Sequence, residues 1–163
     1  MSKKLKLKVY FQLGELYSIN IGNHNQAIEN FSKIKKETND TKWLVKAEEK
    51  LGHIYFSYLK NYKKSIINYS RLKNFKPKLE RYDFYQIRLA LSLFHFGSYK
   101  KANVLLLDIY KNSIKMYKVR SLYYLGLIEF NKSNWRKALE YWNRYINIET
   151  KKEYIIETKF LLA

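Results

Sequence analysis

Small residues recur along this chain at a nearly constant interval. Gly14, Gly52, Ala90 and Gly126 stand 38, 38 and 36 residues apart, in the frames Leu13-Gly14-x-x-Tyr17, Leu51-Gly52-x-x-Tyr55, Leu89-Ala90-x-x-Leu93 and Leu125-Gly126-x-x-Glu129. Each is followed 12 or 13 positions later by a second small residue (Ala27, Ser65, Ala102, Ala138), and four beyond that by a bulky one (Phe31, Tyr69, Leu106, Trp142). Two series sharing one period indicate a repeated supersecondary unit. The chemistry behind the spacing is steric: two helices of a hairpin approach closely only where one presents Gly or Ala, and a large side chain one turn further on fills the space beside the contact.

Turn signals fall where such hairpins need them, at Gly22-Asn23-His24-Asn25, Lys60-Asn61, Gly97-Ser98 and Ser133-Asn134. The pattern predicts helices near 3–21, 25–37, 41–59, 62–75, 79–96, 99–112, 115–132 and 135–148, grouped into repeats of about 3–40, 41–78, 79–114 and 115–150 within one domain spanning 1–163. A last helix is expected over 152–163. Ala163 lies 37 residues after Gly126, so this segment reads as the first half of a fifth repeat or as a cap, and as a surface for self-association.

These motifs resemble the tetratricopeptide repeat family, whose W-x2-L-G-x2-Y, A-x3-F, P pattern has a period of about 34 residues. Tyr10-x2-Leu13-Gly14-x2-Tyr17 is the nearest match in a first helix; Gly97-Ser98-Tyr99-x2-Ala102 and Asn134-Trp135-x2-Ala138-x3-Trp142 are the nearest at the turns, and Pro77 stands where the family's proline belongs. Glu48 and Gln86 depart from the leading aromatic, Glu129 from a Tyr, and the first two turns carry one extra residue each. The resemblance implies an all-α, right-handed superhelical solenoid of antiparallel helix hairpins acting as a non-enzymatic protein-binding scaffold. It also implies which positions of each first helix line a groove: Lys8, Phe11, Glu15, Ser18 and Ile19; then Lys46, Glu49, His53, Phe56 and Ser57. The third and fourth repeats supply Phe84, Ile87, Leu91, Phe94 and His95, then Arg120, Tyr123, Leu127, Phe130 and Asn131. On this basis Phe84, Ile87, Phe94, Tyr123, Leu127 and Phe130 are expected to receive an apolar segment of a partner protein, an amphipathic helix or extended peptide that can also carry acid. A two-carboxylate clamp of the kind some family members use is not expected, because Phe11, Glu15, Lys50 and Phe84 occupy its Lys and Asn places and only Arg88 fits.

Composition narrows the remaining classes. Zero Cys excludes disulfides and thiolate chemistry. The three His (His24, His53, His95) fall in a turn and on two different helices, with no metal-binding or nucleophile motif around them, so no catalytic residue, cofactor or metal is expected. Charges interrupt the start Met1-Ser-Lys-Lys-Leu-Lys-Leu-Lys, and no apolar run of signal or membrane-spanning length follows. A cytoplasmic location is therefore expected, although a chain trimmed of its own leader would look the same and would sit in the periplasm or at a surface.

The formal net charge of +18 comes from 26 Lys and only six Arg. With many Asn, Ile, Tyr and Phe, this mixture is what AT-rich coding produces, so much of the lysine reads as solvent cover. RNA or another polyanion is the alternative partner, since basic charge and aromatics occur together, although Arg is the usual residue for bidentate phosphate recognition. Attachment to a membrane through Lys3, Lys4, Lys6 and Lys8, which alternate with Leu5, Leu7 and Val9, is less favoured, because period two is not that of an interfacial helix. Glu48 and Glu49, beside Lys46 and Lys50, are expected to form ion pairs on a helix surface.

Overall fold

Side-chain absence at the small positions lets the helices meet. A computed structural model describes residues 2–148. A Cβ built on Gly14 would lie 2.6 Å from the Phe31 ring, one on Gly52 3.1 Å from the Tyr69 ring, and one on Gly126 closer to the Trp142 indole than in either of those pairs. Phe31, Tyr69 and Trp142 are buried, as are Ala90 and Leu106 at the corresponding places of the third repeat. The bulky residues are therefore the plugs that the spacing predicts, each seated where a first helix offers bare backbone.

The described residues form eight helices and no strand. Counting the π-helical ends of the first and third helices, Leu16–Ile21 and Ile54–Tyr58, their bounds lie within three residues of the expected ones, and the expected helix at 152–163 lies outside the described residues. Two compact units divide the chain, Met1–Glu80 and Arg81–Ala163. In the first, α1 (Lys3–Glu15), α2 (His24–Glu37), α3 (Thr41–His53) and α4 (Tyr62–Lys73) pack each on the next around Leu7, Ala27, Phe31, Ile34, Ala47 and Leu51. In the second, α5 (Tyr82–His95), α6 (Tyr99–Asn112), α7 (Lys115–Asn131) and α8 (Trp135–Ile148) do the same, and α5 also packs on α7. Helices that each pack on the next, with first helix against first helix in the second unit, are consistent with an all-α tetratricopeptide-type solenoid.

Each hairpin reverses by one device. Gly22, Lys60, Gly97 and Ser133 all have positive φ, between 51° and 82°, and each is followed by Asn or Ser. Asn23 and Asn61 then cap the next helix, their Oδ1 atoms accepting from the Gln26 and Lys64 amides at 3.1 Å. Gly adopts the left-handed conformation freely, whereas Lys60 and Ser133 hold it at a cost of about 1 kcal/mol or more. The extra residue of the first two repeats is not in the turn as expected. From left-handed residue to second small residue the interval is five in all four hairpins; the addition lies before it, where α1 and α3 end in π-helical segments, Leu16–Ile21 and Ile54–Tyr58. Widening the hydrogen-bond ring to i→i+5 absorbs one residue without disturbing the turn.

The departures from the family pattern are polar links between helices. Glu48 is not the surface ion-pair residue expected: it is only 5% exposed. Its carboxylate accepts from Asn68 Nδ2 at 2.5 Å and Arg71 Nη1 at 3.1 Å on α4, and pairs with Lys35 Nζ at 2.5 Å on α2. Lys50 instead pairs with Glu15 of α1 at 2.6 Å. Buried Gln86, at the same place in the third repeat, donates to Asp108 of α6. A buried carboxylate is tolerated only when paired and hydrogen-bonded, so three helices must be in register around Glu48. In the last hairpin Glu129 accepts from Lys132 Nζ at 2.8 Å and Asn134 Nδ2 at 2.9 Å. Burial pushes its carboxyl up, but those two partners outweigh burial and hold it below the ordinary value.

Three outcomes test this account. Gly126→Ala is expected to destabilise by about 1–3 kcal/mol through overpacking, whereas Gly52→Ala should be near neutral, because its closer tolerance is offset by a helix-propensity gain of up to about 1 kcal/mol; denaturant midpoints separate the two. Glu48→Ala should cost about 2–3 kcal/mol, since Asn68 is left buried without its acceptor, and Glu48→Gln should cost less. Because the Glu129 pKa is depressed on folding, its contribution is present above the unfolded value of about 4.3 and is lost as pH falls through the folded one. Thermal melts from neutral pH down to acid should show a shallower loss for Glu129→Gln than for the wild type.

Candidate partner-binding surface

In the first unit, the exposed face of α1 and α3 brings together aromatic rings and cations. Phe11 packs edge-on against Phe31 and Trp43, with centroids 5.6 and 6.0 Å apart. Lys46 Nζ stands 5.5 Å from the Phe11 centroid and 5.2 Å from that of Trp43, and Lys50 Nζ lies 5.7 Å from Phe11. Such spacing is within the range of cation–π attraction. Lys8 and Lys46 are exposed, while His53 and Phe56 are half-buried. His53 Nδ1 is 3.2 Å from Ser57 Oγ, and its ring meets Tyr58 edge-on at 5.4 Å.

The second unit repeats the combination on α5. Arg81 and Arg88 place their guanidinium carbons 4.4 and 5.4 Å from the Phe84 centroid. Ile87, expected to line the groove, is only 1% exposed on a helix that packs against both α6 and α7, and so offers no surface to a partner. Leu91 is buried as well. Phe94 is half-covered by Tyr99 at 5.5 Å and Tyr124 at 5.0 Å, and Tyr123 by Tyr124 and Tyr145. Leu127 is half-buried, whereas Phe130, His95 and Arg120 are exposed. The apolar half of the expected groove is thus more self-packed than its spacing suggests, and its cations are closer to the rings.

One set of residues escaped the sequence reading. The first residue of each second helix is His24, Tyr62, Tyr99 or Trp135, always two positions after the left-handed turn residue. Tyr62 meets Phe56, Tyr99 meets Phe94 and Trp135 meets Phe130, each pair edge-on with centroids 4.8 to 5.7 Å apart. His24, whose own first helix carries Ser18 at the matching place, instead stacks on Tyr58 of the next hairpin at 4.3 Å. These aromatic clips explain why Phe56 and Phe94 are half-buried; their constant offset from the turn was a signal present in the sequence.

Residues 120–148, which include most of α7 and all of α8, match a tetratricopeptide repeat family model. Among curated proteins none matches the chain. That match, together with eight described helices in a repeat-like arrangement, supports a tetratricopeptide-type repeat protein.

Proposed function

We propose that this protein binds a segment of a partner protein on the exposed faces of its first helices, and that the segment is apolar with acidic side chains. The observation that carries the reading is the pairing of rings with cations on those faces: Lys46 and Lys50 about Phe11, and Arg81 and Arg88 about Phe84. An aromatic floor gives an apolar side chain area to bury, and the neighbouring ammonium or guanidinium groups give a carboxylate a partner in the same footprint. Lys8, His53 and Phe56 extend this surface in the first unit; Phe94, His95, Arg120, Tyr123, Leu127 and Phe130 extend it in the second. The fold is typical of non-catalytic scaffolds, and binding without chemistry is the activity proposed.

RNA or another polyanion is the second reading, favoured by the net charge of +18. Salt separates the two, because phosphate contacts weaken steeply with ionic strength and apolar burial does not. Cross-linking followed by identification of the captured protein tests the leading reading. Lys46→Glu with Arg120→Glu, and separately Phe130→Ser, are expected to reduce capture about tenfold or more while leaving the helical circular dichroism intact. Unchanged capture by both folded variants, or steeply salt-sensitive binding to homopolymer RNA in place of a protein, would defeat it.

A further inference from the structure

In each unit the hairpin turns present a second kind of surface, which meets the first-helix faces at Ile19 in the first unit and Phe130 in the second. Of the fifteen large apolar side chains exposed among the described residues, eight lie within three positions of a left-handed turn residue. Solvent-exposed apolar groups scattered singly need no explanation, but their concentration at chain reversals does. In the first unit they are Ile19 and Ile21, 68% and 58% exposed, with Tyr58 and Leu59. The two π-helical segments carry or adjoin all four. The stack of His24 on Tyr58 joins the two turns into one edge.

The charge at this edge has one sign. No Asp or Glu occurs over 16–28, 54–66 or 91–104. Lys60, Lys63 and Lys64 are exposed beside Tyr58 and Leu59. The second unit has the same composition at its own turns: Phe96 and Trp135, 51% and 54% exposed, stand beside Lys100, Lys101, Arg136 and Lys137. Its one acidic turn residue, Glu129, is already engaged with Lys132 and Asn134. Basic residues in the first turn oppose the helix dipole, so Lys63, Lys64, Lys100, Lys101, Arg136 and Lys137 are not placed for helix stability.

We infer that these turn edges seat on an anionic lipid bilayer, with the apolar tips entering the interface and the lysines and arginines meeting lipid phosphates. Protruding aliphatic and aromatic side chains ringed by bases and free of acid fit that occupant: the interface accepts apolar tips without a complementary pocket, and the headgroups supply the opposite charge. Exposed aliphatic groups such as Ile19 and Ile21 distinguish this occupant from single-stranded nucleic acid, which would use the rings and bases but gives an isoleucine nothing to stack on. No helix among the described residues is long and apolar enough to cross a membrane, so the contact is peripheral.

Flotation of the full chain with vesicles tests the inference. The protein should float with phosphatidylcholine vesicles containing about 30% phosphatidylglycerol and remain behind with pure phosphatidylcholine. The exposed-residue variant Ile19→Ser/Ile21→Ser/Leu59→Ser should weaken binding about tenfold or more, with unchanged circular dichroism. Brominated acyl chains should quench the tryptophan fluorescence of the unmodified protein, and Trp135→Phe should remove most of that quenching. Failure to float with the anionic vesicles overturns the inference. So does flotation that the folded triple variant leaves unchanged with no bromine quenching, which would mean attraction of lysines to any polyanion, as would equal binding to soluble heparin or polyuridylate.

Discussion

Close approach of two helices at a residue without a side chain, plugged by an aromatic ring from the other helix, is the contact on which three of the four hairpins depend, with Ala90 and Leu106 at the corresponding places of the other. Phe31 over Gly14, Tyr69 over Gly52 and Trp142 over Gly126 are one interaction repeated with rings of different size. Apolar burial supplies its energy, roughly 25 cal/mol for each Å² removed from water, while steric exclusion supplies its specificity. A shift of one residue along either helix would set a Cβ against the ring. The recurrent small residue is thus a register mark, and the turn chemistry, caps and clip aromatics all lie at constant offsets from it.

Where the chain abandons the family's aromatic at the start of the first helix, polar links take its place. Glu48 ties α2, α3 and α4 through Lys35, Asn68 and Arg71, and Gln86 ties α5 to α6 through Asp108. A ring tolerates small displacements, but a buried carboxylate does not, because its hydrogen bonds must be met. These substitutions exchange some apolar burial for a stricter alignment of neighbouring hairpins.

Repetition also divides the surface. First helices turn one face toward solvent, and there rings and cations occur together at Phe11 and Phe84; the turns collect apolar tips and bases. Neither arrangement contains a converging set of acids, bases or nucleophiles. They differ in chemistry, one combining aromatic rings with cations and the other exposed apolar tips with bases.

Helix positions, hairpin pairing and turn sites were legible in the sequence, because small residues, bulky residues and Gly/Asn turn signals are local marks whose spacing survives divergence. The clip aromatics at 62, 99 and 135 were equally periodic and could have been read in the same way. Three things were decided only by tertiary packing. Glu48 looked like a surface residue beside Lys46 and Lys50, yet neighbouring helices enclose it and supply other partners; Ile87 looked like groove lining, yet it is buried in the core. The extra residue of the first two repeats looked like a longer turn, yet it is wound into π-helix. Sequence determines which residues share a helix and at what interval, since that follows from local periodicity; burial and partner choice depend on what a second helix brings alongside, and only the folded packing settles that.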